Sequence, residues 1–214
     1  ILLKYPLDLE RQDPFGNTSL LTAALNGNEE IVDKLIIAGA KLEHSNYMGQ
    51  NALHLAALQG QVGIVKRLLD ANLSPMKADQ FGLTALHRAA ENGHVGVMRT
   101  FLETKTVDPN INVLDAHGDG GTPWLLAAKR GHINVLEVLL EASADSDAVE
   151  LLNGTTALQF ASAEGKESTV RWLLEKKLSK IDETDFLGNT ALHYASQKGQ
   201  ELVIEELMRW GANP

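Results

Sequence analysis

The stretch "GLTALHRAAENGH", Gly82 to His94, decides how the rest of the chain is read. Leu86, Ala89 and Ala90 stand three and four residues apart, so one face of a helix here is apolar and small enough for a neighbouring helix to approach closely. Gly93 follows at the point where a positive backbone angle stops such a helix. Beyond it Val97, Met98, Phe101 and Leu102 repeat the same periodicity, which predicts a second helix. No single pair of this kind can bury both of its faces, so the unit needs neighbours.

The chain supplies them. "TSLLTAALNG" from Thr18, "NALHLAALQG" from Asn51, "TALHRAAENG" from Thr84, "TPWLLAAKRG" from Thr122, "TALQFASAEG" from Thr156 and "TALHYASQKG" from Thr190 align without gaps. Their starts lie 33, 33, 38, 34 and 34 residues apart, and each closing glycine leads into a second apolar segment such as "IVKRLL" or "VLEVLL". In these residues, and in the phrases "AGA" and "WGANP" that end repeats at Gly39 and Gly211, the chain resembles the ankyrin-repeat family. Its unit is a turn plus two antiparallel helices, with a T-P-L-H-x-A signature every ~33 residues. The resemblance covers essentially all 214 residues. It implies a single all-α repeat solenoid with β-hairpin fingers, divided into a partial leading repeat 1–12 and repeats 13–45, 46–78, 79–114, 115–150, 151–184 and 185–214.

Composition agrees with a folded, interacting domain. With 44% hydrophobic and 22% charged residues the usage is globular, and no apolar run has the length of a membrane span. The absence of cysteine excludes disulfides, thiolate zinc sites and cysteine nucleophiles, and fits a cytoplasmic or nuclear setting. A formal charge of -9 argues against nucleic acid as the main partner and favours a basic one.

The most chemical-looking segment is "DAHGDGGTPW", Asp115 to Trp124. Asp115 to Gly118 matches "DPFG", "DQFG" and "DFLG" elsewhere, so it reads as a finger, lengthened by two residues after its glycine and two before Asp115. A phosphate loop would need a strand, a helix and a lysine in G-x-x-x-x-G-K-[ST], and Pro123 and Trp124 follow instead. Asp115, His117 and Asp119 alternate as a calcium loop begins, but the twelfth residue is Leu126, so no metal site is expected. Leu151 stands where the other fingers carry Asp or Asn.

His54, His87 and His193 hold the signature's fourth position, and the resemblance implies that they bracket adjacent hairpins; Leu125 and Gln159 replace them in the fourth and fifth repeats. One repeat apart, they are too distant to share a metal. His94 and His132, after the helix-linking glycines, read as structural too. No G-x-S-x-G elbow or H-E-x-x-H helix is present, and the pairs Glu29–Glu30 and Glu205–Glu206 read as solvated charge on second helices, so neither catalysis nor a cofactor is expected.

What remains is surface, and the resemblance implies that partners bind the concave side of fingers and first helices. The finger positions there read Phe15, Tyr47 and Met48, Phe81 and Leu83, His117, Leu152, then Phe186 and Leu187. The ends of the first helices add Leu25, Leu58, Glu91, Asn92, Lys129 and Arg130. Aromatic and methionine residues enrich interface cores, although residues before a finger glycine can also pack on the next finger. The expected function is a protein–protein interaction module, monomeric in isolation, from a larger intracellular protein, since "ILLKYPLDLERQ" aligns inside a second helix. The alternatives are a groove for a short basic peptide or histone-like tail, or recognition of a small ligand or lipid headgroup.

Overall fold

Each repeat begins by capping its own first helix. Thr18, Asn51, Thr122, Thr156 and Thr190 lie in extended backbone, and their side chains accept the amide three residues on. In four repeats the residue at that third position answers with its own side chain: His54, His87, Gln159 and His193 accept the backbone N–H of Asn51, Thr84, Thr156 and Thr190. Two otherwise orphaned donors are thereby satisfied at one helix end. Termination is equally local, with Gly93 at φ +76° closing the first helix of the third repeat as its position predicted.

The computed structural model describes residues 8–104, 107–111 and 121–214. Among these residues the chain forms twelve helices and no strand, with one antiparallel bridge between Val149 and Thr156. The helices come in pairs: α1 (Ser19–Leu25) with α2 (Glu29–Ile37), α3 (Ala52–Leu58) with α4 (Val62–Asp70), and α5 (Ala85–Glu91) with α6 (Val95–Glu103). Then come α7 (Pro123–Arg130) with α8 (Ile133–Glu141), α9 (Ala157–Ala163) with α10 (Glu167–Glu175), and α11 (Ala191–Gln197) with α12 (Glu201–Arg209). First helices stack on first helices along the whole series, and second on second except between α8 and α10, where the layer is loosest.

The core lies between the layers. Leu86, Ala89, Ala90, Val97, Met98 and Phe101 are all buried, as the helical spacing predicted. The pattern recurs in each repeat, with alanines on the first helices keeping the stack close. Trp124 takes the place of the recurrent leucine in α7; fully buried, its ring packs 6.3 Å from that of Trp172 on α10. Leu9 is half-buried against the first repeat, while Leu2, Leu3 and Leu7 lie outside the described residues.

The fingers share one construction. Asp13, Asn46, Asp79 and Asp185 each donate their amide to the carbonyl four residues on and accept the glycine amide three residues on. One side-chain oxygen of each also accepts the amides two and four residues on, at 2.8–3.0 Å. An acid or Asn there ties the turn from inside. In the fifth repeat this position belongs to Glu150, not to Leu151: Glu150 N–H bonds Thr155 and its carboxylate takes the amides of Leu152 and Asn153. The turn is one residue longer, and a side chain one carbon longer spans it. Gapless alignment hid that insertion.

Candidate partner-binding face

Backbone hydrogen bonds set consecutive fingers side by side. Tyr47 N–H donates to the Phe15 carbonyl at 3.1 Å, Gln80 to Met48 at 3.0 Å and Phe186 to Asn153 at 2.8 Å. In these pairs of fingers the residues before the glycine are thereby brought alongside one another, and most are open to solvent: Phe15 is 72% exposed, Tyr47 68%, Phe186 70% and Leu187 77%. Met48 and Leu152 are exposed too. Packing on the adjacent finger and facing solvent are not exclusive. The Tyr47 ring covers Gly16, where a Cβ would come within 2.8 Å of its Cδ1, and the Phe186 ring covers Gly154 in the same way.

Other predicted members sit differently. Leu83 is only 9% exposed, its amide tied into its own finger. Leu25 and Leu58 are half-buried at the ends of α1 and α3. Phe81 is half-buried under the Arg88 guanidinium, 5.5 Å from its ring centroid. His117, with the rest of the long finger from Asp115 to Gly120, lies outside the described residues.

The histidines bracket the stack. His54 Nε2 lies 3.1 Å from the Leu83 carbonyl in the next repeat, and His87 Nε2 3.0 Å from that of Ile111, near the end of its own repeat. Gln159 does the same work, its Nε2 donating to Glu183 and Asn189 at 2.9 and 3.0 Å. His94 and His132 form a second series, reaching the Leu58 and Glu91 carbonyls at 2.9 and 3.0 Å. Burial holds His54 below the usual imidazole range and His87 at about 4, so both stay neutral in the fold.

An ionic cluster joins the third and fourth repeats on the same face. The Asp79 carboxylate, wholly buried, receives Arg88 at 2.6 Å; Arg88 also meets Glu91 at 3.3 Å, and Glu91 meets Arg130 at 2.6 Å. Sequence reading passed over Arg88. Its signal is spacing: Arg88 follows Asp79 by nine residues as Tyr194 follows Asp185, and the Tyr194 hydroxyl donates to Asp185 at 2.7 Å.

Charge is divided between the two layers. The six second helices carry twelve carboxylates against six lysines and arginines, whereas the first helices carry one carboxylate, Glu91, against Arg88, Lys129 and Arg130. The acidity behind the expectation of a basic partner therefore lies mainly on the second-helix side. There Glu30 is exposed, but Glu206 is buried, correcting its reading as solvated charge. Its carboxylate takes Arg171 at 2.8 and 3.1 Å, Arg209 at 3.2 Å and Trp210 Nε1 at 3.1 Å.

Among the described residues no group of three or more His, Asp or Glu side chains is placed to hold a metal ion, and no helix is long and apolar enough to cross a membrane. A family model described as ankyrin repeats in three copies matches residues 1–79, 63–150 and 124–214. No curated protein matches the sequence. Among solved structures, the human ASB11 ankyrin repeat domain superimposes with a TM-score of 0.79 at 26% identity, over 92% of this chain and 85% of that one. The ankyrin repeat domain of Bcl-3, described as a unique member of the IkappaB protein family, gives a TM-score of 0.70 at 30% identity, over 92% and 88%.

Proposed function

The chain belongs to the ankyrin-repeat family, and from that premise we propose that it is a protein-recognition module that holds its partner on the concave face made by the fingers and first helices. The observation that carries this reading is the pair of exposed apolar groups, Phe15, Tyr47 and Met48 on the first two fingers and Leu152, Phe186 and Leu187 on the last two, each on fingers tied to each other by a backbone hydrogen bond. Large rigid side chains offered together are what interface cores use, and singly exposed ones would need no explanation.

The partner's own contact is then apolar at its centre. Because the excess carboxylates lie on the second helices, attraction for a basic partner is not focused on this face, and salt alters binding only modestly. Photo-crosslinking tests the reading directly. A benzophenone at Tyr47 or Leu187 captures the partner recovered with the chain, and one at Glu30 does not; capture from Glu30 alone moves the interface to the other layer.

A further inference from the structure

All four charged residues of the six first helices meet in one place. A cleft of about 220 Å³ lies between α5 and α7, walled by Phe81, Leu83 and Leu126 and rimmed by Lys129 and Arg130. That is room for a side chain, below the roughly 300 Å³ at which pockets for whole small molecules begin. The cluster's charges cancel in pairs. Arg88 is neutralised by buried Asp79 and Arg130 by Glu91. Lys129 has no carboxylate partner among the described residues; its Nζ rests 5.2 Å from the centroid of the Phe160 ring, which steers the ammonium without cancelling its charge.

Among the described residues one net positive charge therefore remains beside an apolar wall. We propose that this cleft is a subsite for a single carboxylate side chain of the bound partner, an Asp or Glu next to an aliphatic residue that packs on Phe81 and Leu126. The proposal rests on the partner docking at the finger and first-helix face, and names the chemistry of one contact there. A basic side chain would meet three cations, and a phosphorylated one would bring two negative charges to one unpaired cation.

Random peptides displayed on phage, selected on the intact chain, provide the probe. Enriched peptides are synthesised and titrated against the wild type, Lys129→Gln, Lys129→Glu and Tyr47→Ala. The expected result is a shared acid beside an aliphatic residue, binding weakened about tenfold by Lys129→Gln and further by Lys129→Glu, with rescue when the peptide acid becomes lysine against Lys129→Glu. Urea midpoints show that the variants are folded, and Lys129→Gln removes the charge while keeping the first half of the aliphatic stem. Failure to enrich acidic peptides, or equal binding of them to both Lys129 variants, overturns the subsite. Loss through Tyr47→Ala alone leaves the docking face standing and removes only the subsite, and indifference to every variant removes both. Tighter binding with phosphoserine at the acid position overturns the single-charge assignment.

Discussion

The Nε2 of His87 lies 3.0 Å from the carbonyl oxygen of Ile111, while its Nδ1 accepts the backbone N–H of Thr84 at 3.3 Å. One nitrogen donates to the segment that leaves its own repeat and the other accepts from its own helix start, which only the neutral ring can do. Protonation would aim two N–H groups at each other.

His87 is thus a built-in acid weakness. Burial lowers its pKa from 6.5 to about 4, so as pH falls from 6.5 towards 4 the unfolded chain takes up a proton that the fold refuses, and stability drops by something on the order of 2 kcal/mol. Gln159 shows the remedy, since glutamine accepts from Thr156 and donates to Asn189 of the following finger without titrating. His87→Gln is expected to lie within about 1 kcal/mol of the wild type at pH 7 and to become the more stable protein towards pH 4. Urea melts at pH 7, 5.5 and 4 check this; parallel pH profiles would refute it.

Glu206 titrates in the opposite sense. Arg171 foremost, then Trp210, outweigh the effect of burial and hold this carboxylate at about 2 against an ordinary 4.5. Its contribution is complete above pH 4.5 and fades as pH falls towards 2. Glu206→Gln is expected to cost about 2 kcal/mol at pH 7, because it leaves Arg171 and Arg209 without their buried acceptor. The gap to wild type should narrow in urea melts at pH 3, whereas replacing exposed Glu205 changes little at either pH.

The repeat, its two helices and its core were legible because all rest on local periodicity and recur at a fixed interval. The fingers were legible less exactly. The role of Asp13, Asp79 and Asp185 depends on backbone groups two to four residues away, and a one-residue insertion passed that role to Glu150 while alignment pointed to Leu151. Burial of Glu206 and the pairing of Arg88 were hidden for another reason. They arise between helices about 35 residues apart or between a helix and its finger, where a charged letter alone does not say whether it faces water. Leu83 illustrates the converse, an apolar residue beside exposed ones that is itself almost covered, with its amide closing the turn on Asp79.

Gly16 and Gly39 share nearly the same backbone angle, φ +82° and +85°, but not the same surroundings. A Cβ on Gly39 meets nothing within 4 Å, whereas one on Gly16 comes within 2.8 Å of Tyr47 Cδ1 and 2.9 Å of the Tyr47 amide nitrogen. Gly39→Ala should cost about 1 kcal/mol, the left-handed strain alone. Gly16→Ala should cost about 1–2 kcal/mol more, since a backbone nitrogen cannot step aside as a side chain can. Equal urea midpoints for the two variants would show that the fingers slide apart freely, and the aligned row of exposed side chains would lose its rigid support.

Binding and stability must come apart if the finger row is the interface. Phe15 and Tyr47 are the clean pair to remove, because both are largely exposed; Phe81 is not, its ring being covered by an arginine that also holds buried Asp79. Phe15→Ala with Tyr47→Ala should weaken partner binding by roughly 2 kcal/mol or more, as truncation of aromatic anchors does. The urea midpoint should move little, by the equivalent of about 1 kcal/mol at most, since little buried area is lost. On the other layer the matched control is Glu30→Gln with Lys34→Gln, an exposed pair 2.6 Å apart. Arg67 is unsuited to that purpose, because it joins α4 to Glu29 and Asp33 of α2. The control should leave both binding and melting unchanged, exposed pairs of this kind being worth little. A partner titration beside urea melts decides the matter: affinity lost only in proportion to stability, or lost equally from Glu30 and Lys34, would mean that the aromatic row serves to pack finger on finger and that the partner docks elsewhere.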